Sequence, residues 1–222
     1  MGTYLVLKNE NIRQIPEEFQ TDDNRFPETL VEHFLNEYTI IGGKVIDIFA
    51  GLGTTLFVAE EMKRIAYGVE YDRRRFNYIR SNLTQKKNVI HGDALKLDEY
   101  SLPECDFCFT SPPYMPKDDN LNPFTNCTTA GNYKEYLKNI KTVFSKVRGV
   151  MKAKSYIVIE ASNLKGNGVT TLAWDIAREV SDVLHFEGEV VIGWERDDYI
   201  AHEGTYGYGY DHSYCLVFRN AK

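Results

Sequence analysis

Apolar segments with strand-like spacing alternate with segments of helical spacing from about residue 27 to the end of this chain. A strand, a helix and a further strand form a βαβ unit, and repeated units build a mostly parallel sheet with helices on its faces. No internal repeat or low-complexity block interrupts the alternation. The pattern therefore predicts an α/β fold.

The length of 222 residues suits one α/β domain with a substantial core. We therefore expect a single domain over 1–222, in which residues 1–24 are an N-terminal extension. No apolar run approaches the roughly 20 residues of a membrane span, and the first residues lack the pattern of a signal peptide. These observations predict a cytoplasmic protein with no membrane partner.

The predicted elements follow from apolar periodicity and from the glycine and proline residues that end each segment. In chain order they are a helix over 27–38, a strand over 45–49, a helix beginning near Thr54, a strand ending at Glu70, a helix over 73–83, strands over 89–91, 106–110 and 156–160, a helix over 170–183, and strands over 187–194 and 214–219. The last two strands are separated by a long polar and aromatic loop. Such a pair can form an antiparallel hairpin at the edge of a sheet.

Cys105 and Cys108 form a C-x-x-C pair, which raises a zinc or redox interpretation. Cys108, however, lies in an apolar run that reads as a buried strand, where cysteine is a common small apolar residue. Four ligands of a structural zinc site are also not in view. We predict no metal site.

The formal charge of −6 is unusual for a protein that binds nucleic acid, because phosphate contacts need Lys and Arg. The positive charges are nevertheless clustered. One cluster comprises Lys63, Arg64, Arg73, Arg74 and Arg75, and the other comprises Lys134, Lys138, Lys141, Lys146, Arg148, Lys152 and Lys154. Solvated helix faces explain most of these residues.

A glycine-bearing turn, Gly51-Leu52-Gly53, joins the strand over 45–49 to the helix that begins near Thr54. Glycines at such a turn let the backbone approach a ligand closely. The segment indicates a nucleotide-like ligand. It lacks the full G-x-G-x-x-G pattern, which disfavours a dinucleotide.

Two acidic residues stand where the next two strands end. Glu70 is placed to accept hydrogen bonds from both hydroxyls of a ribose, and Asp93 is placed to meet an adenine amino group. The alternative is that such carboxylates only cap the helices that follow them.

The segment Thr110-Ser111-Pro112-Pro113-Tyr114 ends the fourth strand. Two consecutive prolines stiffen the backbone and leave carbonyl groups at the ligand crevice of an open α/β sheet. The alternative is an ordinary Pro-Pro turn followed by a packing tyrosine.

Taken together, Phe-x-Gly-x-Gly at 49–53, an acidic residue at 70, Gly-Asp-Ala at 92–94 and Ser-Pro-Pro-Tyr at 111–114 resemble the amino-methyltransferase family, the N4-cytosine and N6-adenine DNA methyltransferases. The resemblance runs roughly from Arg25 to the C-terminus. Arg25-Phe26-Pro27 resembles the segment that closes over the methionine end of the cofactor, and residues 212–218 resemble the last strand of the sheet. The motif order is that of the group in which the cofactor motifs precede the catalytic tetrapeptide.

The resemblance implies a Rossmann-like, seven-stranded, mostly parallel sheet with an antiparallel last strand, and S-adenosyl-L-methionine as the cofactor. It implies that the cofactor is bound by Phe26, Pro27, Asp47, Phe49, Ala50, Gly51, Gly53, Thr54, Thr55, Glu70, Tyr71, Asp93, Ala94 and Thr110. The catalytic residues it implies are Ser111, Pro112, Pro113 and Tyr114.

The family mechanism explains the tetrapeptide. An exocyclic amino nitrogen is a poor nucleophile, and acceptors placed around it favour a more reactive, pyramidal geometry. Ser111 Oγ and the Pro112 carbonyl are the implied acceptors, while Tyr114 stacks on the extruded base. No covalent intermediate is required, and no cysteine stands in the Pro-Cys pair that the cytosine C5 enzymes use.

The resemblance implies a site-specific DNA methyltransferase of the restriction–modification type, with DNA as its partner. Serine in the first position of the tetrapeptide resembles the cytosine N4 enzymes more than the adenine N6 enzymes. The chain has no room for a separate target-recognition domain, so residues 115–132 and 196–211 are the candidate substrate loops. The second loop contains Tyr206-Gly207-Tyr208-Gly209-Tyr210, which suits either stacking on unpaired bases or packing on its own domain.

Three other functions remain open. In the first, the substrate is RNA. The acidic charge and the lack of room for a recognition domain suit this alternative. The second is methylation of a protein glutamine, although Asn is the more common first residue of that motif. The third is a cofactor-binding subunit without catalysis, against which the intact tetrapeptide argues. A homodimer is a further expectation, because a protein of this size needs additional surface to hold DNA.

Overall fold

The computed structural model describes residues 2–21, 23–196 and 208–221. Its strands are β1 (Tyr4–Lys8), β2 (Lys44–Asp47), β3 (Ile65–Glu70), β4 (Val89–His91), β5 (Cys105–Thr110), β6 (Met151–Ala161), β7 (Leu164–Lys165), β8 (Val169–Thr170), β9 (His185–Glu195) and β10 (His212–Arg219). Its helices are α1 (Glu17–Gln20), α2 (Glu28–Tyr38), α3 (Thr54–Glu61), α4 (Arg73–Asn82), α5 (Tyr133–Val150) and α6 (Leu172–Ser181). Short 3₁₀ turns cover Lys86–Asn88, Ala94–Glu99 and Pro123–Thr125.

The main sheet has the strand order β1-β9-β10-β6-β5-β2-β3-β4. Every neighbouring pair is parallel except the two that involve β10, which is antiparallel to both β6 and β9. Strands β7 and β8 form a separate small hairpin. The predicted α/β fold with a mostly parallel sheet and an antiparallel last strand is confirmed.

The sheet has eight strands among the described residues, one more than the seven expected. The additional strand is β1, which pairs in parallel with the outer edge of β9. Leu5 and Leu7 pack on the core while Tyr4 and Val6 face outward, so the segment has the alternation of an edge strand. By pairing with β9 it covers backbone groups that would otherwise form an open edge. Residues within 1–24 are thus part of the sheet rather than a simple extension.

The hairpin of β9 and β10 is also more central than expected, because β10 lies between β6 and β9 and β1 lies outside them. Strand β10 is buried on both faces. Cys215 and Val217 belong to one core cluster, whereas Leu216 and Phe218 belong to the other. A strand buried on both faces belongs in the interior of a sheet.

Helices cover both faces of the sheet. Helices α2, α3 and α4 pack on one face, and α5 and α6 pack on the other. Helix α5, in a segment noted from the sequence mainly for its lysines, buries Tyr136, Ile140, Val143, Phe144, Val147 and Val150. This spacing places one apolar stripe on the sheet and leaves the lysines outside.

The carboxyl ends of the parallel strands lie at a common edge of the sheet. Strands β2, β3 and β5 end there at Asp47, Glu70 and Thr110. In open α/β sheets this edge is where ligands bind. Within the described part of the chain, no helix is long and apolar enough to cross a membrane.

Candidate active site

A cleft of about 1020 Å³, a volume that includes space open to solvent, lies at this edge. Most of the residues expected to bind the cofactor or act in catalysis line it. They are Phe26, Asp47, Phe49, Ala50, Gly51, Thr54, Glu70, Tyr71, Asp93, Ala94, Ser111, Pro112, Pro113 and Tyr114. The structure thus brings the motifs from both halves of the sequence to one cavity.

The other four predicted residues, Pro27, Gly53, Thr55 and Thr110, do not line the cleft. Pro27 is the residue before α2, and Gly53 is the residue before α3, where its φ of +86° is left-handed. A Cβ atom on Gly53 would lie 2.9 Å from the Phe57 ring, so glycine is needed there for packing and backbone geometry. Thr55 and Thr110 are fully buried. All four residues are buried, and each is next in the sequence to a residue that lines the cleft.

Asp47, at the end of β2, is a buried carboxylate that faces the cleft. Thr110 Oγ1 donates a hydrogen bond of 2.6 Å to Asp47 Oδ1, and the Phe49 amide donates one of 3.0 Å to the same oxygen. Burial raises the pKa of Asp47 to about 6, although these hydrogen bonds oppose the shift. Asp47 thereby fixes the backbone that leads into the glycine turn.

Glu70 connects the glycine turn to the next helix. The Gly51 amide donates to Glu70 Oε2 and the Asp72 amide donates to Glu70 Oε1, each at 2.7 Å. Burial raises the pKa of Glu70 to about 7, and the same backbone hydrogen bonds partly oppose the rise. Each carboxylate oxygen keeps capacity for another hydrogen bond, which suits a ligand with two neighbouring hydroxyls.

Asp93 both caps a turn and faces the cleft, so the two interpretations of this residue are compatible. Its Oδ1 atom accepts a hydrogen bond of 2.8 Å from the Leu95 amide, at the start of the 3₁₀ turn. The Asp93 amide in turn donates to the Tyr100 hydroxyl at 2.8 Å. This leaves Asp93 Oδ2 for a ligand donor.

The cleft residues fit S-adenosyl-L-methionine. Glu70 and Asp93 offer acceptors for a ribose and an amino group, and Ile48, Leu52 and Phe124 offer apolar surface. Thr54 Oγ1 is buried at the cleft with no hydrogen-bond partner among the described residues. A buried hydroxyl without a partner is rare and points to a missing ligand or water.

The tetrapeptide Ser111–Tyr114 is held by Glu160, a residue that the sequence analysis did not single out. Ser111 Oγ and the Tyr114 hydroxyl each donate a hydrogen bond of 3.0 Å to Glu160 Oε2. Glu160 lies near the end of β6 and is only 1% exposed. Burial, followed by the Glu160 charge, raises the pKa of Tyr114 well above its ordinary value, so this hydroxyl remains a donor. The signal available in the sequence was an acidic residue at the end of the apolar run 156–160, as at Asp47 and Glu70.

The first candidate substrate loop, 115–132, contributes Pro123, Phe124 and Asn126 to the lining of the cleft. A bridge between Leu121 and Ala130 closes the central part of the loop, and Phe124 is buried with its ring centroid 5.9 Å from that of Phe49. Asn126 Nδ2 donates to Asp72 Oδ2 at 3.2 Å, which connects the loop to the start of α4. Sequence reasoning did not assign Phe124 or Asn126 to the cofactor.

Most of the second candidate loop, including Tyr206 and Gly207, lies outside the described residues. Tyr208 is described, and it lines the cleft with its ring centroid 5.2 Å from that of Tyr114. Its hydroxyl forms a hydrogen bond with the Asn24 side chain, and its carbonyl accepts a hydrogen bond of 3.2 Å from the Lys165 amide. Asn24, Arg25 and Tyr208 are further cleft residues that were not predicted.

Three of the seven side chains in the second basic cluster are paired with acidic side chains. Lys146 contacts Asp98 at 2.6 Å, Lys152 contacts Asp106 at 2.5 Å, and Lys141 forms an ion pair with Asp182. Such surface pairs reduce the local positive charge. The pairing lowers the positive charge at these three positions.

Cys105 and Cys108 lie within the buried strand β5. Burial raises the pKa of the Cys105 thiol to about 12, so the thiol stays protonated at neutral pH. No group of three or more His, Cys, Asp or Glu side chains among the described residues is placed to hold a metal ion.

The fold and the cleft together define an S-adenosylmethionine-dependent methyltransferase. The chain belongs to the DNA methylase family of N6- and N4-methyltransferases, whose profile matches residues 5–81 and 105–222. A comparison with curated protein sequences found no match.

Solved structures share the fold at low sequence identity. TrmN from Thermus thermophilus has a TM-score of 0.61 and 14% identity over 94% of this chain, which spans only 54% of the TrmN chain. A SAM-dependent methyltransferase from Archaeoglobus fulgidus has a TM-score of 0.59 and 16% identity, with 92% of this chain and 100% of that chain covered. A TehB-like SAM-dependent methyltransferase from Corynebacterium glutamicum has a TM-score of 0.54 and 15% identity, with 90% and 91% covered.

Proposed function

We propose that this chain methylates an exocyclic amino group of a base in DNA, with N4 of cytosine favoured over N6 of adenine. The observation that carries the proposal is the Ser111 hydroxyl, which is fixed on Glu160 in the same cleft as the cofactor motifs. The family match supports the amino-methyltransferase chemistry. When bound, S-adenosylmethionine supplies an electrophilic methyl group on its sulfonium sulfur.

Ser111 is arranged to act as an acceptor toward the target nitrogen. Its own hydrogen is committed to Glu160, so the lone pairs of Oγ are left for an incoming N–H. The Pro112 carbonyl is the second acceptor, and no described residue donates a hydrogen bond to it. Two acceptors around one amino group hold it in place and favour the geometry in which its lone pair is reactive.

Glu160 also offers a route for the proton that must leave the nitrogen when the new N–C bond forms. The amino proton passes to Ser111 Oγ while the serine hydrogen passes to Glu160 Oε2. The charge on the methylated nitrogen is removed, and the buried carboxylate becomes neutral. Neutralisation of a buried carboxylate is favourable in a site of low polarity.

Tyr114 provides the surface on which the target base stacks. A base within a duplex cannot present its amino group in line with the methyl group, so it must leave the stack. The tyrosine hydroxyl is tied to Glu160, which fixes the ring beside Ser111. The serine of the tetrapeptide is the basis for favouring cytosine N4.

RNA is the second candidate substrate. The net charge of −6 is unfavourable for the phosphates of a long duplex, and two of the α5 lysines, Lys141 and Lys146, are paired with acidic side chains. A structured RNA or another substrate with exposed bases needs fewer such contacts.

The test is transfer of a radiolabelled methyl group to unmethylated duplex DNA, single-stranded DNA, bulk RNA and protein, followed by nucleoside analysis. N4-methylcytosine or N6-methyladenine in DNA would support the proposal and identify the base. Label only in RNA or only in protein would overturn the DNA assignment and retain the methyltransferase class.

A further inference from the structure

Aromatic side chains continue from the cleft across the neighbouring surface. The aromatic strip, as we name it, consists of Tyr210, His212, Tyr214 and Trp174. The ring centroids of Tyr210 and His212 are 5.3 Å apart, as are those of His212 and Tyr214. The Trp174 side chain forms a hydrogen bond with the Tyr214 hydroxyl. The four side chains therefore form one connected surface.

The aromatic strip lies at the same edge of the sheet as the active site. Tyr214 pairs with Ala161, the last residue of β6, and His212 and Tyr210 lie beyond that point. Trp174 is in the first turn of α6, which begins at Leu172. Tyr208 joins the strip to the cleft, since it precedes Tyr210 by two residues and contacts the Tyr114 ring. A strand of nucleic acid whose base enters the cleft would thus meet the strip.

Trp174 is largely exposed. Its side chain is 57% exposed, whereas Trp194, the other tryptophan of the chain, is 4% exposed. A large exposed aromatic residue contiguous with other aromatic rings marks an interaction surface more often than a lone exposed residue does.

The charges around the strip suit a small number of phosphates. Lys165 Nζ lies 4.2 Å from the centre of the Tyr210 ring, and it has no ion-pair partner among the described residues. Lys117 lies nearer α6 but is 3.4 Å from Asp175, which reduces its effect. The exposed Asp211 stands between Tyr210 and His212, so we expect stacking on the aromatic faces, rather than phosphate contacts, to supply most of the affinity of the strip.

We propose that the aromatic strip binds the unpaired nucleotides that adjoin the target base. The inference rests on the proposed function, and it adds that the substrate around the target is single-stranded or locally opened. Stacking on aromatic faces tolerates every base, so the strip supplies affinity rather than sequence discrimination.

Intrinsic tryptophan fluorescence tests the strip directly, because Trp174 is exposed and Trp194 is buried. The probe is a single-stranded oligothymidylate of about 15 nucleotides, a length that one such surface accommodates. Thymine has no exocyclic amino group, so binding of this probe does not depend on the proposed methyl transfer. We expect the probe to quench the fluorescence of the wild type and of Trp194→Phe, and to leave that of Trp174→Phe unchanged.

Two further measurements test the same inference: the affinity for oligothymidylate at several salt concentrations, and the quenching caused by a duplex and by heparin. We expect a shallow dependence of affinity on salt, as for about two phosphate contacts, and weaker quenching by a duplex of equal length. Absence of quenching by oligothymidylate, or equal quenching by heparin, would overturn the inference. Neither result would bear on methyl transfer itself.

A second measurement connects the strip to activity. Trp174→Ala should raise the KM for heat-denatured DNA by about 10-fold, in keeping with the loss of one stacked base, with the affinity for S-adenosylmethionine unchanged. Trp174→Tyr should restore most of the loss. The control is Ile40→Ala, an apolar residue that is 79% exposed and lies before β2 at the opposite edge of the sheet. Equal KM values for wild type and Trp174→Ala, measured with wild-type enzyme that labels nucleic acid, would refute the role in activity and leave the proposed function standing.

Discussion

Ser111 Oγ lies 3.0 Å from Glu160 Oε2, although 49 residues separate the two in the chain. The bond joins the segment after β5 to the neighbouring strand β6. It commits the serine hydrogen to a buried carboxylate, and this makes the serine oxygen an acceptor in the cleft. In the proposed mechanism Glu160 therefore positions Ser111 and Tyr114 and takes up the proton that is relayed through Ser111.

Replacement of Glu160 by Gln should lower kcat by about 100-fold, because the amide is a weaker acceptor and cannot take up a proton. The affinity for S-adenosylmethionine, measured by calorimetry, should change by less than about 2-fold. The pH dependence of kcat should also change, which a purely structural role would not produce. An unaltered kcat with an unaltered pH profile would remove Glu160 from the mechanism.

Ser111→Ala should reduce methyl transfer strongly and leave cofactor affinity nearly unchanged. If Ser111 and Glu160 act as one unit, the double variant Ser111→Ala, Glu160→Gln should be no slower than the slower single variant. Single-turnover rates of all three variants measure this coupling. Equal loss of transfer and cofactor affinity in Ser111→Ala would instead contradict its assignment as an acceptor for the amino group.

Cofactor binding should depend on pH through Glu70. Its pKa is raised to about 7, so the carboxyl is protonated below neutral pH and loses acceptor capacity for a ribose diol. Affinity for S-adenosylmethionine should therefore fall as the pH drops through 7, by about 10-fold between pH 8 and pH 6 for one linked proton. Calorimetry at several pH values measures the slope.

Glu70→Gln is the matched variant for this slope. It should bind the cofactor more weakly at high pH and lose most of the pH dependence, since its amide does not titrate in this range. Glu99→Gln, at the exposed end of the 3₁₀ turn over Ala94–Glu99, is the control and should behave as the wild type. A slope that persists in Glu70→Gln would assign the linkage to another group, such as Asp47.

Phe124→Ala should weaken cofactor binding, because the ring is buried beside Phe49 at the cofactor side of the cleft. Loss of a buried phenylalanine should also lower Tm by several degrees, since such truncations cost about 3–5 kcal/mol in a well-packed core. Phe124→Leu should retain most of both properties. If Phe124→Ala instead leaves cofactor affinity unchanged and raises the KM for nucleic acid, residues 115–132 bind the substrate and not the cofactor.

Local sequence patterns located seven of the eight strands of the main sheet, and the cleft, because those signals are contained within a few residues. The glycine turn after Asp47 and the acidic residue Glu70 at the end of β3 can both be identified from their positions directly after predicted strands. Glu160 was overlooked because its role is defined by partners 46 and 49 residues away, and no local pattern encodes that distance. A long-range hydrogen bond becomes visible only when the order of strands is known.

The eighth strand illustrates a second limit. Strand β1 is a short alternating segment whose stability depends on pairing with β9, and β9 lies at the other end of the chain. An isolated segment of this length has little intrinsic preference for a strand. The central position of β10 was likewise invisible, because periodicity reports that a strand is buried and not which strands flank it.

The position of β10 has a consequence for how the protein is made. A ribosome releases β6 and β9 before β10, and until β10 emerges both carry open edges and the sheet is divided into two parts. Chains that stop before His212 would expose these edges and would lack the residues that join the halves. The sheet therefore becomes continuous only after β10 has been made and has joined β6 to β9, and chains that stop before His212 should be insoluble or rapidly degraded rather than partly active.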